Sequence, residues 1–146
     1  MKFKKYIGVG IFSLLFVTGC GDTQKLECSV QQDYYEGIKT HQNVVAVFDG
    51  EMLAKLSIDM DVKLDESSIE YADNLINGST SNFEKYKDKD GFSYSTTKKD
   101  DGFEVDLDVN FKETDDDVKD NFSFLNAYSN YEQIKQELES NGYTCK

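Results

Sequence analysis

The 146-residue chain contains no arginine, no proline and no tryptophan, and its one histidine is His41. Without arginine, the protein cannot form the bidentate guanidinium contacts that hold phosphate or carboxylate groups. A Ser or Cys nucleophile needs a positioned base, and nothing in the sequence places one near His41. The G-x-S-x-G, H-E-x-x-H and phosphate-binding glycine motifs are also missing. The sequence therefore predicts a protein that is not an enzyme and that has no cofactor.

Positive charge is also scarce. The chain has 16 lysines against 28 aspartates and glutamates, which gives a formal net charge of −12 at pH 7. Nucleic-acid binding needs clustered Lys or Arg, so a nucleic-acid partner is excluded. A charge of this sign favours cationic partners or multivalent metal ions, although solubility alone also explains an acidic composition.

The N-terminus carries the longest apolar run, but that run is too short to span a membrane. Residues 7–17 are eleven residues, whereas a transmembrane helix needs about 20. Three lysines precede the run, which is typical of a signal peptide. The run ends in V-T-G-C, and these four residues resemble the lipobox of bacterial lipoproteins. The resemblance implies cleavage before Cys20 and acylation of the Cys20 thiol.

Acylation would anchor the protein without a membrane span. Each buried methylene contributes about 0.8 kcal/mol, and two or three chains on one cysteine hold stably. We therefore expect localisation at the extracytoplasmic face of the cell membrane. A secretory leader that is cut elsewhere, with Cys20 as a plain thiol, is the alternative. The predicted organisation is a signal peptide (1–19), a lipid-anchored tether (20–25) and an extracytoplasmic domain (26–146). Removal of residues 1–19 lowers the net charge to −15 because it deletes three lysines and no acid.

The other two cysteines lie near the two ends of the mature chain. Export places Cys28 and Cys145 in an oxidising compartment, where pairing is the default. Two separate buried thiols are the alternative. A structural zinc site needs more ligands than two cysteines and one histidine supply.

Two hairpins are the clearest structural signals. Apolar residues alternate with polar ones over residues 52–64, which predicts a long strand with one wet face. A second strand-like run, 43–48, precedes it across Asp49-Gly50, a pair that favours a tight turn. The same pattern recurs over 92–97 and 103–111, with Asp101-Gly102 before the second strand. A shorter first strand is predicted at 26–30, followed by a loop over 31–40.

Helical periodicity appears in two segments. One face of residues 69–86 is apolar, and Ser67 to Glu70 resembles a capping box. The last helix follows a second capping box at Ser129 and ends before Gly142. Residues 114–128 are predicted to be a long connection. The expected fold is α+β with two layers: an antiparallel sheet of about five strands (β-ββ-α-ββ-α) and two helices on one face.

The layout resembles a known group of proteins. The early cysteine of the mature chain, the "VFDGEMLAKL" hairpin and the closing "YEQIKQELESNGYTCK" are similar to small bacterial lipoproteins of the YehR-like kind and to related uncharacterised lipoproteins of Gram-positive bacteria. The resemblance implies an anchored extracytoplasmic domain with a bridge between the outer cysteines. It implies no activity.

Acidic residues gather on the wet faces of two predicted strands. Asp59 and Asp61 share one face, and Glu104, Asp106 and Asp108 share the other. If these strands are neighbours, like charges lie close together and destabilise the sheet. Such a cost is tolerable where a cation or a basic partner binds. A solvated face is the alternative, with the repulsion relieved by Lys55, Lys63 and Lys112.

Two functions follow from these patterns. The first is a lipid-anchored binding or interaction module that uses its wet sheet face, or a sheet edge, on an envelope protein, a peptide or another cationic ligand. The second is a calcium-binding or cation-sensing lipoprotein that uses the carboxylates of Asp59, Asp61, Asp106 and Asp108. A spacer with no specific ligand is the third option.

Overall fold

The structure, a computed structural model, describes residues 22–35, 37–121 and 128–146. The predicted signal peptide and the predicted acylation site, Cys20, lie outside these residues. No helix in the described ranges is long and apolar enough to cross a membrane.

Within the described residues, six strands form one antiparallel sheet. The order across the sheet is β4-β5-β3-β2-β1-β6. The strands are β1 (Thr23–Tyr35), β2 (Ile38–Asp49), β3 (Met52–Leu64), β4 (Phe92–Lys99), β5 (Gly102–Asn110) and β6 (Thr144–Cys145). The predicted hairpins are confirmed as β2–β3 and β4–β5. The predicted count of about five strands is wrong by one, because β6 has two residues and a two-residue strand shows no periodicity.

The predicted loop over residues 31–40 is also wrong. β1 continues to Tyr35 and pairs with β2 along its whole length, from Thr23 opposite Asp49 to Tyr35 opposite Ile38. Gly37 has a φ of +89° at the turn between the two strands. Positive φ is accessible to glycine at little steric cost, so a tight turn replaces the expected loop.

The alternation along β3 breaks near its start. The register with β2 shifts between Val47 and Phe48, and the neighbouring Leu53 and Ala54 are both buried. A bulge of this kind places two residues opposite one and turns the preceding side chain. Met52, which the period-two pattern assigned to the apolar face, is instead 62% exposed.

Three short helices join the strands within the described residues: α1 (Ala72–Thr80), α2 (Asp116–Asn121) and α3 (Tyr131–Ser140). The predicted count of two helices is therefore wrong. The additional helix is α2, which lies in the predicted connection and is only six residues long. Single 3-10 turns precede and follow α1, at residues 69–71 and 84–86.

The caps differ in detail from their predictions. The predicted capping box after Ser67 is absent, since the Ser68 side chain makes no capping hydrogen bond. The Asp65 carboxylate instead accepts hydrogen bonds from the Ser67 and Ser68 amides. The capping box of α3 is present but shifted by one residue. Asn130 is the N-cap and exchanges hydrogen bonds with Gln133.

The helices cover one face of the sheet, as predicted for a two-layer α+β fold. Ile134 and Leu138 of α3 pack on Leu26, Val44 and the rest of the larger core cluster. Ala72 of α1 packs with Val62, Leu64, Phe103 and Val105 in a second cluster. The opposite face of the sheet carries mostly polar and charged side chains.

Candidate binding face of the sheet

The face of the sheet opposite the helices carries mostly polar residues, together with Val45 and Val47 of β2. We call it the polar face. On this face, β3 carries Asp59 and Asp61, and β5 carries Glu104, Asp106 and Asp108, because successive side chains of a strand point to opposite faces. β3 and β5 are neighbours, which the sequence left open.

The register brings the predicted carboxylates together. Asp59 lies directly opposite Asp106, and Asp61 lies opposite Glu104. Asp108 lies opposite Ser57 and accepts a hydrogen bond from its hydroxyl. The acidic side chains of β3 and β5 therefore face each other, as the sequence predicted for the case in which these strands are neighbours.

Three of these side chains form a compact group. Asp59, Glu104 and Asp106 each offer a carboxylate oxygen, and the three oxygens lie within 4.8 Å of one another. All three residues are partly buried. We call this group the acidic cluster. Two of the four predicted metal candidates, Asp59 and Asp106, belong to the acidic cluster. The other two, Asp61 and Asp108, lie beside it. The third member, Glu104, was not among the predicted metal candidates.

Asp59 has the least favourable environment in the acidic cluster. Partial burial raises the pKa of its carboxyl group above the usual 3.8, and the neighbouring charges of Glu104 and Asp106 raise it further. Within the described part of the chain, Asp59 has no hydrogen-bond or ion-pair partner. Asp106, in contrast, accepts a hydrogen bond of 3.3 Å from Ser95 on β4.

Lys99 is the basic residue that offsets the acidic charge. Its ammonium nitrogen lies 2.8 Å from Asp61 Oδ1 and 2.8 Å from Glu104 Oε2. Hydrogen bonds to these two carboxylates raise the pKa of Lys99. In the register, Gly102 lies between Lys99 and Lys63. Since Gly102 has no side chain, the Lys99 side chain meets no obstacle there as it extends from β4 towards Asp61 on β3.

The sequence prediction named other lysines for this role. Lys63 pairs with Asp101, and Lys112 pairs with Asp49 at the far end of the sheet. Lys55 lies opposite Asn110 and is exposed. Lys99 was missed because the predicted strand ended at residue 97, whereas β4 continues to Lys99, and because its contact with Asp61 requires β5 to lie beside β3.

The remaining predicted site residues lie away from the acidic cluster. Cys28 and Cys145 are directly opposite each other on β1 and β6, with their sulfur atoms at bonding distance. The pair is therefore compatible with the predicted disulfide. His41 lies on β2 opposite Asp61 and is exposed.

Neutralising Asp59 should stabilise the domain at neutral pH. Because the folded-state pKa of Asp59 is raised, the folded protein holds this proton more tightly than the unfolded chain does. The contribution of Asp59 to stability is therefore most favourable below pH 3.8 and is lost as the pH rises through the folded-state pKa of this group. We expect Asp59→Asn to raise the free energy of unfolding at neutral pH by about 0.5 kcal/mol, the scale of one cross-strand like-charge pair.

Urea unfolding at neutral pH and below pH 3.8 measures this effect. The difference between Asp59→Asn and the unchanged protein should shrink at the lower pH, where Asp59 is protonated. Asp100→Asn is the matched control, since it removes one negative charge from an exposed turn. An equal gain from both variants would attribute the effect to net charge instead of to the acidic cluster.

Comparisons with known proteins identify the fold. No protein family and no curated protein matches the sequence. The NMR structure of the Escherichia coli YehR protein is similar, with 16% identity and a TM-score of 0.58 over 87% of this chain and 93% of that one. An NMR structure of a Streptococcus pneumoniae TIGR4 protein has 12% identity and a TM-score of 0.53 over 100% and 98% of the two chains. The predicted resemblance to YehR is confirmed for the fold.

Proposed function

We propose that this protein is a lipid-anchored, non-catalytic binding module at the outer side of the cell membrane. Its binding surface is the polar face, and its ligand is a cationic segment of an envelope protein or peptide. The anchor is proposed from the basic and apolar N-terminus that ends in V-T-G-C. The ligand class is proposed from the charge and shape of the polar face.

The acidic cluster is the observation that supports the polar face as the binding surface. Asp59, Glu104 and Asp106 hold three carboxylates within 4.8 Å at the centre of an open sheet face, and Lys99 bonds to only one of the three. Like charges on facing strands destabilise a sheet. A cationic ligand would offset that repulsion on binding. An open face without a deep enclosure suits an extended or flat partner better than a small molecule.

Lys99 restricts how a ligand can bind. Its ammonium group already bonds to Asp61 and Glu104. A ligand must therefore use Asp59 and Asp106 first, or displace Lys99 from its two partners. Lysine ammonium groups are suitable, since each is a compact charge with three donors.

A divalent cation is the second candidate ligand, and the compactness of the acidic cluster favours it. Calcium binds oxygen ligands at 2.3–2.6 Å, so oxygens up to about 5 Å apart can contact the same ion. The three oxygens of the acidic cluster meet this limit. Calcium takes six to eight oxygens, so water would supply the rest.

Calorimetric titration with calcium and with a lysine-rich peptide separates the two ligands. We expect the peptide to bind at low salt and to weaken as salt screens the charges. Asp59→Asn with Asp106→Asn should abolish binding of either ligand. Glu66→Gln with Glu70→Gln is the control, because both residues are exposed and lie between β3 and α1. A binding heat with calcium but not with the peptide would favour the divalent cation as ligand. No binding heat with either would contradict both proposed ligands and favour a spacer with no specific ligand.

The anchor has its own test. Cells that produce the full chain should incorporate labelled palmitate, and Cys20→Ala should block incorporation and release the protein from the membrane or leave it uncleaved. Membrane retention of a processed Cys20→Ala protein would contradict the proposed anchor.

A further inference from the structure

The described chain begins at one end of the sheet, beside the β2–β3 turn. The carbonyl oxygen of Asp22 accepts a hydrogen bond of 3.3 Å from the Gly50 amide, and Thr23 is paired with Asp49. We call residues 49–52 the hairpin tip. The start of β1 and the hairpin tip are thus fixed to each other by backbone pairing.

The chain before Asp22 is short, which limits how far the hairpin tip can lie from an anchor. Cys20 precedes Asp22 by two residues, and an extended chain covers at most about 3.3–3.6 Å per residue. Asp22 therefore lies within about 7 Å of the acylated residue. This step rests on the proposed lipid anchor at Cys20.

From this distance we propose that the hairpin tip docks on the lipid headgroup layer that surrounds the anchor, with Met52 as its apolar contact. Met52 is 62% exposed because the bulge in β3 turns it away from the core. A methionine side chain is flexible and apolar and adapts to irregular apolar surroundings. Asp49 is already paired with Lys112, so Glu51 is the remaining acidic residue of the tip.

This docking sets the position of the polar face. Asp59 follows Met52 by seven residues on β3, which is about 23 Å along a strand. The Debye length at physiological ionic strength is about 8 Å. If β3 points away from the membrane, the distance from the tip to the acidic cluster exceeds the Debye length, so headgroup charges are screened there. The acidic cluster would then be accessible to a partner outside the bilayer.

Fluorescence quenching by spin-labelled lipids tests this orientation in the full-length acylated protein. Met52→Cys and Asp100→Cys each receive a thiol fluorophore, and the proteins are reconstituted into phosphatidylcholine vesicles that carry headgroup-region spin labels. Asp100 is the control position because it lies in the β4–β5 turn. This turn lies beside the C-terminal end of β3, whereas Met52 is at the N-terminal end of the same strand. We expect the label at position 52 to lose most of its fluorescence and the label at position 100 to keep it.

Flotation of the vesicles separates failure of the docking from failure of the anchor. Floating protein with equal quenching at both positions, or with none at position 52, would overturn the docking and leave the anchor in place. Processed protein that does not float would overturn the anchor and the docking together.

Discussion

Loss of the bond between Cys28 and Cys145 is expected to lower the free energy of unfolding by about 4–5 kcal/mol. The two cysteines are separated by 117 positions, so their bridge would close almost the whole domain into one loop. In the chain-entropy account, the stabilisation grows with the length of the closed loop because the unfolded chain loses more freedom. A loss of this size is a large share of the 5–15 kcal/mol that typical domains have.

Urea unfolding with and without reductant measures this loss. Cys28→Ser with Cys145→Ser should resemble the reduced protein and should not respond to reductant. Intact mass under non-reducing conditions is the direct test of the bond. Alkylation of both thiols in the native protein would contradict the prediction.

The bridge should also matter locally, at the edge of the sheet. β6 has only two residues, and the Glu27 and Lys146 backbones exchange two further hydrogen bonds beside it. Tyr143 precedes β6, is buried and donates a hydrogen bond to Gln42 on β2. A strand this short has few contacts of its own, so reduction should release β6 before it unfolds the rest of the sheet.

Local sequence patterns predicted the hairpins because each hairpin depends on neighbouring residues. Val105, Leu107 and Val109 of β5 alternate with acidic or polar residues, and all three are buried. Gly50 has a φ of +63° and is the first residue of the two-residue turn between Asp49 and Met52. Asp49 itself has no positive φ, so the turn is not the type that an Asp-Gly pair at both turn positions would form. In both hairpins the strands are joined near the Asp-Gly pair that the sequence identifies, but the turn residues are shifted by one, to Gly50-Glu51 and Asp100-Asp101.

Contacts between distant segments could not be predicted in the same way. β3 ends at Leu64 and its partner β5 begins at Gly102, with α1 and β4 between them. No periodic pattern states that β5 pairs with β3 on one side and with β4 on the other. The acidic cluster was therefore only half predictable: the face of each strand followed from alternation, but the meeting of Asp59 with Asp106 needed the strand order.

Short elements were missed for a related reason. A six-residue helix such as α2 makes fewer than two turns, so its apolar stripe is reduced to Val118, which is buried. Helical periodicity needs several turns to appear. The break in β3 at Leu53 and Ala54 was missed because the bulge changes the face of only the first apolar position of the pattern, Met52.

Among single glycine substitutions, we expect the largest loss of stability at Gly102. We expect Gly102→Ala to lower the free energy of unfolding by about 3 kcal/mol or more. Gly102 has a φ of +151°, and an added Cβ would lie 1.8 Å from the Val62 carbonyl oxygen, a backbone atom of β3. Relief requires β5 to move away from β3, which would also disturb the pairing that holds the acidic cluster together. Thermal or urea unfolding measures the loss, and calorimetry with the peptide measures its effect on the polar face.

Gly78→Ala is the matched control, and it should change stability in the opposite direction. Gly78 lies inside α1 and is exposed, and an added Cβ would meet nothing within 4 Å. Alanine favours a helix interior over glycine by about 1 kcal/mol, so this variant should be more stable than the unchanged protein. If Gly102→Ala and Gly78→Ala changed stability by the same amount, the close approach of β5 to β3 would not be the cause. A loss at Gly102 alone would show that the close approach of β5 to β3 at this position is needed for the stability of the sheet.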